Sequence, residues 1–206
     1  MKKELPITIL VSIAIFILLI ITPILFFSQN IAITKSISLK YGSAERLGNN
    51  ATTLNANVIS YLRGDEELQG FTDSEKSHMQ DVKKLIDIAK ILFLISLAII
   101  IAAIIALKKK TKETFRKASK YSSITTLAIS AIITILTLAD FGETFYSSHT
   151  LLFPQGNWLF PASSLLIQLY PEQFFMEMGL WIFATTILLS IIIFIISTKQ
   201  KSKASK

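Results

Sequence analysis

His78 and His149 are the only histidines in this 206-residue chain, which has no cysteine. An unperturbed imidazole titrates near 6.5, so these two side chains are the natural proton carriers at neutral pH. The first lies in "FTDSEKSHMQDVKKLIDIAK" and the second in "SSHTLLFPQGNWLF". Two histidines at one level suit general acid–base work, one accepting a proton while the other donates or polarises. Asp81, three residues after His78, is near enough on a helix to orient its ring; a solvated i,i+3 pair is the plainer alternative. Ser147 and Ser148 read as neighbours of His149 on a turn, which does not make a Ser–His pair. Zinc coordination by the two histidines with Glu75, Asp81 or Glu143 lacks metal-site spacing, so neither metal nor cofactor is expected. The missing cysteine excludes a thiol nucleophile, a disulfide-stapled domain and a thiolate metal site. It also means that the chain is not itself a lipoprotein.

The elements that must position these residues are apolar helices. Four stretches free of charge, Leu5–Phe27, Ile91–Leu107, Tyr121–Ala139 and Gly179–Ser197, run for 23, 17, 19 and 19 residues. About 20 apolar residues cross a hydrocarbon core of about 30 Å. Lys90 can snorkel at the edge of the short second run, which Leu85–Ala89 extends, giving a span over 85–107. The first run follows a basic Met1-Lys2-Lys3, as a signal peptide would. Its apolar core is too long for one, and no cleavage pattern follows Phe27. It therefore reads as an uncleaved helix, with Pro6 in its first turn and Pro23 bending its outer end. The fold class is an all-α membrane protein of four transmembrane helices, with a small extracytoplasmic cap built from two loops.

Segments 1–4, 108–120 and 198–206 hold 13 Lys and Arg against two acids, whereas the rest of the chain holds 8 against 12. That asymmetry places both termini and the middle loop in the cytoplasm. The net charge of +7 is thus topogenic and speaks for membrane lipids as partners, not for nucleic acid. The tail after the fourth span reads as disordered. The outer segments, 28–84 and 140–178, are too short for separate domains and must pack together as the cap. In the first, Ile37, Leu39 and Tyr41 alternate with polar residues and predict a short strand. Leu54, Val58, Tyr61 and Leu62 predict a helix from about Ala51, stopped by Gly64. Thr72-x-x-Glu75 has capping-box form and opens a further helix. His78, Asp81, Val82, Leu85 and Ala89 share one side of it, and the helix is expected to run on into the second span. His78 then lies about 10 Å before the apolar run.

No charged side chain falls inside the four apolar runs themselves, where transporters and pumps place them, and HExxH, phosphate-loop and GxSxG motifs are absent. Chemistry, if any, belongs to the outer segments. Ten of the 21 aromatic residues lie between Phe141 and Trp181, more than two helix ends need for an interfacial belt. From the residues alone, an interfacial histidine site and a non-enzymatic membrane scaffold that binds partners both remain open.

"FTDSEKSHMQDVKKL", "FYSSHTLLFPQGNWLF" and "LIQLYPEQFF", with "VISYLRG" upstream, resemble the lipoprotein intramolecular transacylases, small bacterial integral membrane proteins. The resemblance covers nearly the whole chain. One departure follows Trp158, where "LFPASS" stands in place of an expected acidic residue. The resemblance implies a diacylglyceryl-modified lipoprotein as substrate. Its sn-2 acyl chain moves to the α-amino group of the same N-terminal cysteine, giving an N-acylated lyso-form. It implies a bacterial cell membrane location with the active site at the extracytoplasmic interface, and His78 and His149 as the catalytic pair. On that reading Phe141, Phe145, Phe153, Trp158, Phe160, Phe174 and Phe175 are expected to wall the site.

Overall fold

The computed structural model describes residues 5–107 and 111–202, with side chains as far as Lys199. The segments expected to be cytoplasmic at 1–4 and 108–110, and the expected disordered tail at 203–206, lie outside the described residues. Those residues are all-helical apart from turns and loops, without a strand. In order they form α1 (Leu5–Ser28), α2 (Ile31–Lys40), α3 (Ser43–Leu47), α4 (Asn50–Arg63) and α5 (Asp73–Leu107). After these come α6 (Thr111–Ala139), α7 (Phe141–Leu152), α8 (Leu165–Leu169) and α9 (Glu172–Ser202). Helices α1, α5, α6 and α9 are long and apolar enough to cross a membrane.

The chain divides into two compact units, with each of the four long helices shared between them. The first comprises Met1–Ile24, Ala89–Ile133 and Phe183–Lys206. Its core is thin: Val11, Ile15, Leu19, Ala103 and Ala118 are buried, while Leu94, Ile105, Ile132 and Leu188 are each more than half exposed. Apolar exposure on that scale fits helices whose outer faces meet lipid. Facing inward are small hydroxyl residues, including Ser96, Ser123, Thr126, Thr186 and Ser190. Thr126 and Ser190 donate to the carbonyls of Ser122 and Thr186 four residues back, at 2.8 and 2.7 Å. Bonding their own helix satisfies those two hydroxyls, and the small side chains of the set leave surfaces for close packing.

The second unit, Leu25–Ile88 and Thr134–Ile182, holds both histidines. The strand expected around Ile37, Leu39 and Tyr41 is instead α2. Asn30 caps it, its side chain accepting from the Ile33 N–H. The buried face of α2 is Thr34, Ile37 and Ser38. Two of those three are polar, so an apolar-periodicity reading follows the wrong residues. Ser38 donates to the Leu169 carbonyl at 2.8 Å, which explains why a serine is wanted there. The helix expected from about Ala51 is α4. It stops at Gly64, whose φ of 96° is left-handed and natural for glycine. Val58, Ile59 and Leu62 from α4 join Leu166, Leu169 and Phe174 in one core. Tyr170, buried in the same core, donates to Asn55 Oδ1 at 3.0 Å.

The Thr72–Glu75 capping box is formed: Glu75 Oε2 accepts from Thr72 N–H and Oγ1, both at 2.9 Å. The same carboxylate, 1% exposed, extends its other oxygen to the Leu166 N–H at 3.0 Å, in the first turn of α8. One buried anion thus serves two helix starts. Glu75→Ala leaves those donors unpaired and is expected to cost about 2–4 kcal/mol. Glu75→Gln keeps an acceptor oxygen and should cost less. Thermal unfolding of the two variants in detergent checks that ranking.

Candidate active site

His78 sits in the second turn of α5 and is 8% exposed. The second outer segment was expected to be turns around His149; it is instead helix α7, opened by Asp140, whose side chain accepts from the Glu143 N–H at 3.0 Å. Asp140-x-x-Glu143 was therefore a readable helix start, masked by the glycine between them. On a helix, Phe141, Phe145 and His149 recur every four residues and share a face. Their rings stack in series, with centroids 5.7 Å apart for the first pair and 3.8 Å for the second.

The two histidines meet at Phe153. This ring is 5% exposed and lies 4.8 Å from the His78 ring and 5.6 Å from that of His149. Phe160 lies 5.6 Å from His78, and Trp158 lies 5.1 Å from His149. Phe175, 6.5 Å from His149, completes this side. Of the seven aromatic residues singled out in the sequence, Phe145, Phe153, Trp158, Phe160 and Phe175 touch a histidine ring. Phe141 stands behind Phe145. Phe174 belongs to the core, buried against Tyr170 at 4.6 Å.

The imidazole of His149 has a fixed proton. Nδ1 lies 2.9 Å from the Phe145 carbonyl oxygen, which can only accept. Neutral His149 therefore carries its proton on Nδ1, leaving Nε2 with a free lone pair. Burial pushes its pKa below the usual value, against the pull of that carbonyl. His78 is pushed further, to about 4, first by burial and then by the charge of His149. Asp81 and Asn157 pull it the other way. Both rings are neutral at pH 7. His78 Nδ1 is buried with no hydrogen-bond partner among the described residues, a cost that native proteins rarely leave without a reason.

Asp81, considered from the sequence as a direct orienter of His78, makes its hydrogen bonds elsewhere. It accepts from Gln155 Nε2 at 2.7 Å and Asn157 Nδ2 at 2.9 Å, and pairs with Lys84 at 2.9 Å. Its carboxylate holds the loop after α7 against α5, and Asn157 also reaches Ser77 Oγ at 3.3 Å. Gln155 and Asn157 were missed in the sequence, where they read as polar punctuation between Pro154 and Trp158. The remaining carboxylates are also committed. Glu75 serves the two helix starts, and Glu143 accepts from Ser147 Oγ at 3.0 Å.

The depressed pKa of His78 has a consequence for stability. Between about 4 and 6.5 the unfolded chain binds a proton that the folded chain refuses. Stability from this residue is complete above pH 6.5 and is lost as pH falls towards 4. At pH 5 the loss should be about 2 kcal/mol relative to pH 8. Thermal unfolding at the two pH values checks this, and His78→Leu should flatten the difference.

The family model of the lipoprotein intramolecular transacylase Lit matches residues 5–175. No curated protein matches the chain significantly. Among solved structures, the membrane integral lipoprotein intramolecular transacylase Lit from Bacillus cereus superposes with a TM-score of 0.85 at 19% identity, over 98% of this chain and 99% of that one. Two variants of the Bacillus cereus protein, one histidine replaced by arginine or by alanine, give TM-scores of 0.77 and 0.78 at 19% identity. They cover 100% of this chain and 96% and 97% of theirs.

Proposed function

The chain belongs to the lipoprotein intramolecular transacylase family, an integral membrane enzyme family, and from that premise we propose that it moves the sn-2 acyl chain of a diacylglyceryl lipoprotein onto the α-amino group of the same N-terminal cysteine. As an enzyme of this kind it is no mere scaffold. The observation that carries the chemistry is the 2.9 Å contact between His149 Nδ1 and the Phe145 carbonyl, which presents Nε2 as a base. An α-amino group has a pKa of about 7.7–8.0 and is largely an unreactive ammonium at pH 7. His149 Nε2 takes one proton from the ammonium and releases it to solvent, then takes a second as the freed nitrogen attacks the ester carbonyl carbon. The new C–N bond forms a tetrahedral centre, whose oxyanion receives a hydrogen bond from neutral His78. Collapse breaks the C–O bond to glycerol, and the glycerol oxygen leaves with the proton held by His149. No water is consumed.

Amine and ester belong to one molecule, so the catalytic problem is one of closing a ring of about eight atoms. Positioning of that kind can supply several kcal/mol. Phe145, Phe153, Trp158, Phe160 and Phe175 are the walls that hold the folded substrate and keep water out. Leu151, Leu152 and Leu159, exposed by 81, 50 and 67%, flank the site with apolar surface suited to acyl chains and lipid. We place the site on the extracytoplasmic face and both termini in the cytoplasm, on the basic surplus in 1–4, 108–120 and 198–206.

The test is expression with a diacyl lipoprotein in bacteria that lack N-acylation. The transfer is isomeric and intact mass cannot see it, so tandem mass spectrometry of the lipidated N-terminal peptide must locate each chain. An acyl group on nitrogen with one left on glycerol is expected. Both chains remaining on glycerol beside folded enzyme would sink the proposal.

A further inference from the structure

The first unit contains a cavity of about 320 Å³, bounded by Ile15 and Leu19 of α1, Ile100 of α5, Phe115 and Ser119 of α6, and Ile193 of α9. The walls are mostly apolar, and the volume is in the range of small-ligand clefts, about 300–1,000 Å³. A second cavity of about 170 Å³ shares Phe115, Ser119 and Ile193 with it, then ends on Arg116 and Ser197. The two adjoin at those three side chains, and we take them together as one cleft, oily in its first part and cationic at the end of its second. Arg116 is half-buried there and makes no hydrogen bond or ion pair among the described residues. Its neighbour Lys117, by contrast, is paired with Glu113 at 2.7 Å.

A half-buried guanidinium that lacks an anion is an incomplete arrangement. Its planar donors match a phosphate in bidentate fashion. We propose that this cleft binds one anionic phospholipid, its acyl chain along the apolar walls and its phosphate on Arg116. Charge complementarity favours this occupant: Lys117 and Lys120 lie on the same turns of α6 as Arg116, and Lys199 ends the described part of α9. Basic pockets between membrane helices hold acidic headgroups in this way. The histidines belong to the other unit, and the site is argued without the acyl-transfer reading.

The experiment is native mass spectrometry of the delipidated full-length protein in neutral detergent, titrated with phosphatidylglycerol or with phosphatidylcholine of identical chains. The first phosphatidylglycerol should bind about tenfold more tightly, the value of one charge-assisted contact. Arg116→Gln should erase that preference while Lys112→Gln keeps it. Ser119→Leu, which narrows the cleft, should weaken both lipids and serves as the second variant should Arg116→Gln fail to fold. Inorganic phosphate should compete poorly, because it has no chain for the cleft. Equal binding of the two lipids, a preference that survives Arg116→Gln or is lost equally in Lys112→Gln, undiminished binding to Ser119→Leu, or full competition by phosphate would each overturn the proposal.

Discussion

Replacing His149 with alanine should lower N-acyl transfer by about 10²–10⁴-fold, the usual contribution of a positioned general base. The loss should fall on the chemical step, with stability little changed, because α7 buries none of its residues. A more discriminating variant is His149→Gln, whose side chain can still stack on Phe145 but has no basic nitrogen. It should be as inactive as alanine if the proton is what matters. Raising the pH should partly restore either variant, because above about 8 the amine is already deprotonated and needs the base less. A wild-type rate retained in both variants, measured by the share of lipopeptide acylated on nitrogen, would remove His149 from the reaction.

His78 should behave differently. His78→Leu is expected to cut N-acyl transfer by about 10²–10³-fold, the size of effect seen when one oxyanion donor is lost. Its melting temperature should hold or rise at pH 7. The reason is the buried Nδ1 without a partner beside Phe153 and Phe160, a polar atom that an apolar side chain of similar size replaces at no loss. High pH should not rescue this variant, since a missing oxyanion donor does not depend on the amine's protonation. Opposite responses to pH therefore separate the base from the polariser. A fall in melting temperature that matches the fall in activity would instead mark His78 as structural.

The four spans, the Thr72 cap and the Gly64 stop were legible because each depends on residues close together in the chain. Charge-free runs of bilayer length and a four-residue cap need no tertiary information. The strand expected at residues 37–41 failed for the opposite reason. Ser38 and Thr34 are buried by hydrogen bonds and close packing, to which apolar periodicity is blind. Helix α7 was hidden behind Gly142, although its Asp140 cap was available. Asn157 and Gln155 could not have been found, because their meaning lies in Asp81, 76 and 74 residues away. The seven aromatic residues were readable as a composition, but their split into five beside the histidines, Phe141 behind Phe145 and Phe174 in the core came only with packing.

The buried carboxylate of Glu75 also sets an order of events in time. Its bond to Leu166 joins residues 91 apart, and the Ser38, Asn55 and Lys40 bonds to the same late segment span 131, 115 and 137. A ribosome adding about 5–20 residues per second needs roughly 5–20 s to make Leu166 after Glu75. Throughout that interval α2, α3 and α4 are complete in sequence, yet Val58, Ile59 and Leu62 have none of their late partners. The core around α4 therefore closes only after the late segment has been made, so one half of the molecule waits on synthesis of the other.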